Sequence, residues 1–432
     1  MERLGALING VRLLGFLCLN GFVYLLPNVL LADQEPVRVY ASSNTIFRFM
    51  EVLDPNDPLS KVHQIPAYEY ITLGGDNVGV QGLSVYFRGL GQLQVIDPVE
   101  GAKLDGEVLF YHLQYHSKNG RLKAKLGRQF IYEGAANNVL LDGIMLQGRP
   151  WVDIDLSAYA GFVSWPAFEF KESNYTFGAR AAYDRWDYGK VGLSLGVERD
   201  GGSFARTNIG VDFAYTQFRQ VHLVGNVLFD ALDRLMPVQE AKLAIAYIGD
   251  RHLRVSVDYG LFNPVGRLPK TSIFTVFTNT RYHAVGGEAT AKGDGPLSIS
   301  CFARYFRYEQ NSEDGYQFGI KPVLSLGYRA KYLVGLDVQR VKGFDNGYTL
   351  FRGFSSMRPL KQIELTLDYA EYLYDSKIHG YDRSHVAGFT LGYLVARKAR
   401  LQGDVSVNVN PQFKQQVAGL IKFVYEFSTF GK

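Results

Sequence analysis

From residue 78 to residue 427 the chain is written in a two-residue rhythm, and no other feature restricts its fold so severely. In residues 190–198, Val191, Leu193, Leu195 and Val197 fall on one face, while Lys190, Gly192, Ser194, Gly196 and Glu198 fall on the other. Successive side chains of a strand point to opposite sides, so such a segment is a strand with one apolar and one polar face. The same alternation sets Val255, Val257 and Tyr259 against Arg254, Ser256 and Asp258. It sets Leu365 and Leu367 against Glu364, Thr366 and Asp368, and Val405 and Val407 against Asp404 and Ser406. An apolar face repeated over so many strands needs an apolar surrounding. Beyond the N-terminus nothing approaches the roughly 18 consecutive apolar residues of a spanning helix. A bilayer offers no partners to open strand edges, so strands cross it only as a closed barrel. The expected fold is all-β, a transmembrane antiparallel up-and-down β-barrel.

The connections support this reading. Lys118-Asn119-Gly120, Asp187-Tyr188-Gly189, Gly293-Asp294-Gly295 and Arg397-Lys398-Ala399 read as tight hairpin turns, and longer polar segments alternate with them, among them 131–138, 166–174, 263–280 and 375–384. Short and long connections in strict alternation place turns on one rim and loops on the other, with both ends of the barrel on the turn rim, the periplasmic one. About twenty strands fit within residues 78–432, and twenty-two if residues 33–77 insert as an extra hairpin rather than forming an N-terminal extension. Twenty-eight Tyr and 29 Phe suit the aromatic girdles of such a barrel.

Residues 1–32 read as a signal peptide: Arg3 and Arg12 form a basic start, an apolar stretch follows from Leu13, and Ala32 ends a plausible cleavage site. A retained anchor is the alternative. Removal of this segment takes Cys18 with it and leaves Cys301 as a single thiol, with no metal-binding or haem-attachment spacing, so no cofactor is expected. With 46 Lys and Arg against 42 Asp and Glu, charge is too balanced to point to nucleic acid. No nucleophile, phosphate-binding or dinucleotide motif appears, and an enzyme is not expected. His112 and His116 share a strand face, four residues apart, too far for a joint metal site.

The last strand carries Phe423, Tyr425 and Phe427 on one row. This ending resembles the C-terminal insertion signal of Gram-negative outer-membrane proteins, which implies the barrel-assembly machinery and outer-membrane lipid as partners. A second resemblance rests on Asp105-Gly106-Glu107, on Leu126-Gly127-Arg128-Gln129-Phe130 and on Leu141-Asp142-Gly143. These short segments are similar to those of porin-like outer-membrane channels, alginate-export barrels included. The resemblance implies a bacterial outer-membrane channel for small hydrophilic solutes or ions. A weaker likeness is to barrels that sheathe multihaem cytochromes, which would make the bore a socket for a protein partner.

By alternation the lumen-facing charges are Arg121, Lys123, Lys125, Lys190, Glu198, Lys242 and Arg254, together with Asp258, Glu364, Asp368, Asp404, Lys422 and Glu426. Mixed signs point to a wet bore rather than a strongly selective one. The long, unusually apolar loop 263–280 either folds inward, making Arg267 and Lys270 constriction candidates, or extends the strands above the membrane. Arg128 breaks the rhythm, because Leu122, Ala124 and Leu126 put it on the apolar row. A bulge could turn it inward, headgroup phosphates could receive it, or Asp142 or Glu133 could pair with it.

Overall fold

A computed structural model describes residues 37–54, 57–96, 104–164, 174–185, 189–200, 203–218, 220–232, 238–249, 252–263, 281–309, 313–327, 331–343, 346–411 and 415–429. The strands are β1 (Arg38–Asp54), β2 (Asp57–Asp76), β3 (Leu83–Ile96), β4 (Leu104–His116), β5 (Leu122–Glu133), β6 (Asn137–Trp151), β7 (Ile154–Val163) and β8 (Tyr175–Arg185). Next come β9 (Gly189–Asp200), β10 (Ser203–Tyr215), β11 (Val221–Asp230), β12 (Val238–Ile248), β13 (Leu253–Phe262), β14 (Tyr282–Lys292) and β15 (Leu297–Tyr308). The chain ends with β16 (Asp314–Leu326), β17 (Tyr332–Lys342), β18 (Gly347–Leu360), β19 (Ile363–Ile378), β20 (Tyr381–Ala396), β21 (Ala399–Val409) and β22 (Gln416–Thr429). Every strand pairs antiparallel with its sequence neighbours, and β1 pairs with β22 from Val39↔Thr429 to Met50↔Ala418. The sheet is therefore a closed barrel of 22 strands. Neighbouring strands lie about 4.8 Å apart and tilt about 40° in barrels, so 22 of them enclose a ring roughly 40 Å across between backbones.

The count of twenty gains β1 and β2. Their alternation is weaker because the inner face is itself apolar in places: Ile46 pairs with Tyr68 and with Lys422, on the polar side of the wall. On the outer row of this hairpin Glu69 interrupts the apolar residues, and its carboxylate accepts from Ser43 Oγ at 2.6 Å and from Thr45 Oγ1 at 2.5 Å.

Which face looks outward is plain from its chemistry. Leu193, Leu195, Val257, Leu367, Val405 and Ile421 all project from the barrel exposed, as lipid-facing residues must. Both ends of the described chain sit at one rim, with the turns 77–82 and 117–121. Gly120 adopts φ +65° in the second of these, and the Leu122 N–H donates to Ser117 Oγ. At the opposite rim the expected loop 375–384 is mostly strand. β19 and β20 run on to a two-residue turn, His379-Gly380, in which both residues have positive φ, 49° and 86°. That conformation matches the twist of the flanking strands, and past an irregularity after Leu373↔Arg383 the pairing resumes at the tip with Ile378↔Tyr381.

Candidate functional site: the bore and a hairpin that enters it

The β5–β6 hairpin does not stay in the wall. Its first half pairs with β4 from His116↔Lys123 to Tyr111↔Arg128, and there the β4–β5 ladder stops. The hairpin itself continues paired to Glu133↔Asn137. At the point of departure three glycines stand in register, Gly127↔Gly143↔Gly161, across β5, β6 and β7. Gly127 has φ +125°, and a Cβ on it would sit 2.3 Å from the Tyr111 carbonyl oxygen. A Cβ on Gly143 would sit 2.2 Å from the Ala160 carbonyl oxygen. Only bare backbone permits this bend.

Beyond the bend the hairpin lies against the inner face of β8, β9 and β10. The Ala136 N–H donates to Ser194 Oγ at 3.0 Å, and Ser194 alternates with the outward Leu193 and Leu195. Asn137 Nδ2 donates to the Ala179 carbonyl at 3.3 Å, and Asn137 Oδ1 accepts from the Tyr159 hydroxyl at 3.0 Å. The tip Gly134-Ala135-Ala136 is small, and so is the surface beneath it. A Cβ on Gly210 would come within 2.5 Å of the Ala136 nitrogen, and one on Gly134 within 2.7 Å of Arg180 Nε. Ile131, Leu141, Met145 and Tyr159 form a buried apolar cluster under the hairpin. An aqueous bore gives no reason to bury such residues unless one element packs on another there.

Segment 131–138, expected as an outer loop, is thus the end of this hairpin. The expected constriction residues Arg267 and Lys270 lie outside the described residues. Arg128 keeps to the outward row by register, opposite Tyr111 and Asp142. It is bound bidentately by Asp142, Nε to Oδ1 at 2.8 Å and Nη2 to Oδ2 at 2.7 Å, with side chains only 5% and 9% exposed. Its Nη1 donates to the Val108 carbonyl at 2.8 Å. That carbonyl is free because the β3–β4 register jumps from Arg88↔Phe110 to Gly89↔Val108, leaving Leu109 as a bulge. Arg128 therefore takes the place of the ladder bond that ends there.

The remaining charges lie on the face opposite the exposed apolar rows, many of them neutralised in place. Arg180 crosses over Gly192 to reach Asp212 at 2.6 Å, Arg304 crosses Gly286 to Asp258 at 2.8 Å, and Arg400 crosses Gly392 to Glu364 at 3.1 Å. A Cβ on Gly192 or Gly286 would come within 2.4 or 2.6 Å of the guanidinium and one on Gly392 within 3.1 Å, a tight contact, so the glycines let the ion pairs lie flat against the wall. Asp368 is held by Arg352, and Asp404 accepts from Thr390 and Gln402. Lys190 sits 3.1 Å from Asp184 and 3.9 Å from Asp155, which also binds Arg149.

Lys242 lies 2.8 Å from Glu240, Glu198 stands opposite Arg206, and Lys422 and Glu426 face Gln402 and Ser42. Arg254 is exposed beside Thr290, and Arg121 belongs to the β4–β5 turn rather than to a strand. Lys123 and Lys125 alternate with the outward Leu122 and Leu126 and form no ion pair with a described residue. Phe423 and Tyr425 are exposed on the outer row, and Lys398 Nζ lies 5.4 Å above the Phe427 ring.

Closed, built only of strands among the described residues and apolar outside, the molecule has the fold of an outer-membrane β-barrel. No protein-family model matches the chain, and no curated protein matches it in sequence. Among solved structures it is similar to the siderophore receptor PirA from Pseudomonas aeruginosa, at 11% identity and TM-score 0.57, over 91% of this chain and 81% of that one. It also overlays the outer membrane protein opdK from Pseudomonas aeruginosa, at 9% identity and TM-score 0.47, over 92% and 100% of the two chains. At such identity the likeness to PirA is one of fold.

Proposed function

We propose that this barrel is a passive channel for small hydrophilic solutes or ions across a bacterial outer membrane, with both termini in the periplasm. The observation that carries the reading is a closed wall whose inner face is charged and open to solvent. Lys242, on that face, is 57% exposed, and Asp258 and Arg304 remain partly exposed although paired. Charged groups so placed keep water in a bore of this width. No feature of the described bore favours the cytochrome sheath over an open channel.

Preference among solutes follows from which charges are unpaired. Lys123 and Lys125 are proposed to bias the bore toward anions, whereas the paired Asp258, Glu364, Asp368 and their arginines contribute little net field. Planar-bilayer recordings across a salt gradient test this. The Lys123→Glu/Lys125→Glu variant is expected to move the reversal potential toward cation preference. An unchanged potential would place selectivity elsewhere.

The hairpin narrows the bore without closing it. Two strands about 10 Å wide and one sheet layer about 10 Å thick occupy only about a tenth of the section available inside a ring of this size. Excising residues 129–141 and joining Arg128 to Asp142 through Asn-Gly suits the existing register, since these two residues face each other. Unitary conductance should then rise by roughly a tenth.

Phe423, Tyr425 and Phe427 are proposed as the signal read by the assembly machinery, and Arg267 and Lys270 stay candidates for a narrowing at the loop rim.

A further inference from the structure

A hairpin that bends inward leaves its place in the wall. Residues 104–110 of β4 pair with β3, from Leu104↔Leu93 to Phe110↔Arg88, and have no partner on β5. Residues 129–133 of β5 pair only with β6. The loop-rim half of the wall is therefore parted between β4 and β5, from the Arg128–Asp142 pair upward. The hairpin takes up too little of the bore to act as its gate, so the larger consequence of the bend is the seam itself.

The seam's lining has two chemistries. On one side are the N–H and C=O groups of two strand edges that have no ladder partner across the seam, apart from the Val108 carbonyl, bound by Arg128, and the Gly106 N–H, bound by Asp105; such groups cannot face hydrocarbon without a polar partner. On the other are Leu104 and Val108 of β4 and Phe130 and Tyr132 of β5, all in register with the lipid-facing rows. Leu104 is 77%, Phe130 50% and Tyr132 74% exposed. Because β5 turns inward while keeping its alternation, the row that begins with Leu126 among lipid-facing residues ends with Tyr132 on the hairpin, continuous with the outer surface.

We propose that this seam is a lateral opening through which a single-chain amphiphile passes between the bore and the leaflet at the loop rim. Its head group hydrogen-bonds to the unpaired edges, and its chain lies along Leu104, Phe130 and Tyr132. Continuity with the lipid-facing belt identifies the bilayer as the source. The proposal goes beyond a channel for hydrophilic solutes and does not require one.

The test uses the full barrel in lipid vesicles, with a tryptophan reporter made by Tyr132→Trp, or by Phe130→Trp as a second variant. Trp151, Trp165 and Trp186 are changed to phenylalanine. Ala136→Cys and Ser194→Cys, with Cys301→Ser, lock the hairpin to the inner wall on oxidation, since the two positions already touch. Quenching by ω-bromododecanoic acid is compared with quenching by aqueous iodide. The expected result is a saturable, about twofold loss of emission with the bromo acid in the locked form, as for a reporter in contact with acyl chains. Quenching by iodide with none by the bromo acid would overturn the proposal, showing a seam that holds only water. Bromo-acid quenching that disappears on locking would also overturn it, because the reporter would then meet lipid only by rejoining the wall. Conductance of the same preparation judges the channel separately, so failure of either idea is recognisable.

Discussion

Changing Gly143 to valine is expected to destabilise the barrel by more than about 3 kcal/mol, or to prevent its assembly. The reason is local and steric. The added Cβ would meet the Ala160 carbonyl oxygen at 2.2 Å and Gly161 Cα at 2.7 Å, and both are backbone atoms of β7. A flexible side chain could move aside, but a ladder strand cannot shift without losing its own hydrogen bonds. The three-glycine row is also where the hairpin leaves the wall, so a variant that still assembles should lose the docking of Ala136 on Ser194. Gly403→Ala is the control, since nothing lies within 4 Å of a Cβ there, and its effect should stay within about 0.5 kcal/mol. Urea unfolding from lipid vesicles, followed by tryptophan emission, measures both.

The second large effect is expected from Asp212→Leu. Arg180 is only 7% exposed, and its partner carboxylate lies at 2.6 Å, with the hairpin tip at Gly134 packed over both. Removing the acid leaves a guanidinium covered and unpaired, which costs about 3–5 kcal/mol. A pair buried under a docked element can often be replaced by apolar groups of similar size at little cost. Arg180→Met combined with Asp212→Leu should therefore recover most of the loss. Failure of the double variant to recover would mean that the leucine itself disrupts the docking surface. The more exposed pair Arg304–Asp258, at 42% and 36%, gives the contrast: Asp258→Leu should cost about 1 kcal/mol or less.

Much of the wall was legible from residue order alone. Leu193 and Leu195 against Ser194, or Val405 against Asp404, can be read as outside and inside because lipid and water demand opposite chemistry of neighbouring residues. The first hairpin was harder to place. Ile46 and Tyr68 put apolar groups on the inner face of β1 and β2, and Glu69 puts a carboxylate on the outer one, so alternation by polarity fails where alternation by geometry continues. The inward hairpin defeats the same rule for a different reason. In Gln129-Phe130-Ile131-Tyr132 both faces are largely apolar, because one packs on the inner wall and the other stays exposed.

Two signals pointed toward it. Arg128 stood on the apolar row, and of the roles open to it there the structure shows the pair with Asp142; its second role, as a substitute for a missing ladder bond, appears only when the bulge at Leu109 is seen. Gly127, Gly143 and Gly161 form a row only after β5, β6 and β7 are set in register. The Arg–Gly–acid crossings are hidden in the same way, since Arg304, Gly286 and Asp258 belong to three different strands.

The most direct test of the whole account is the unitary current of the purified protein in planar bilayers. A water-filled bore trimmed by one hairpin predicts stable steps of uniform size, growing by roughly a tenth when residues 129–141 are replaced by Asn-Gly. Absence of steps in the intact protein, or a bore that opens only after the excision, would contradict it.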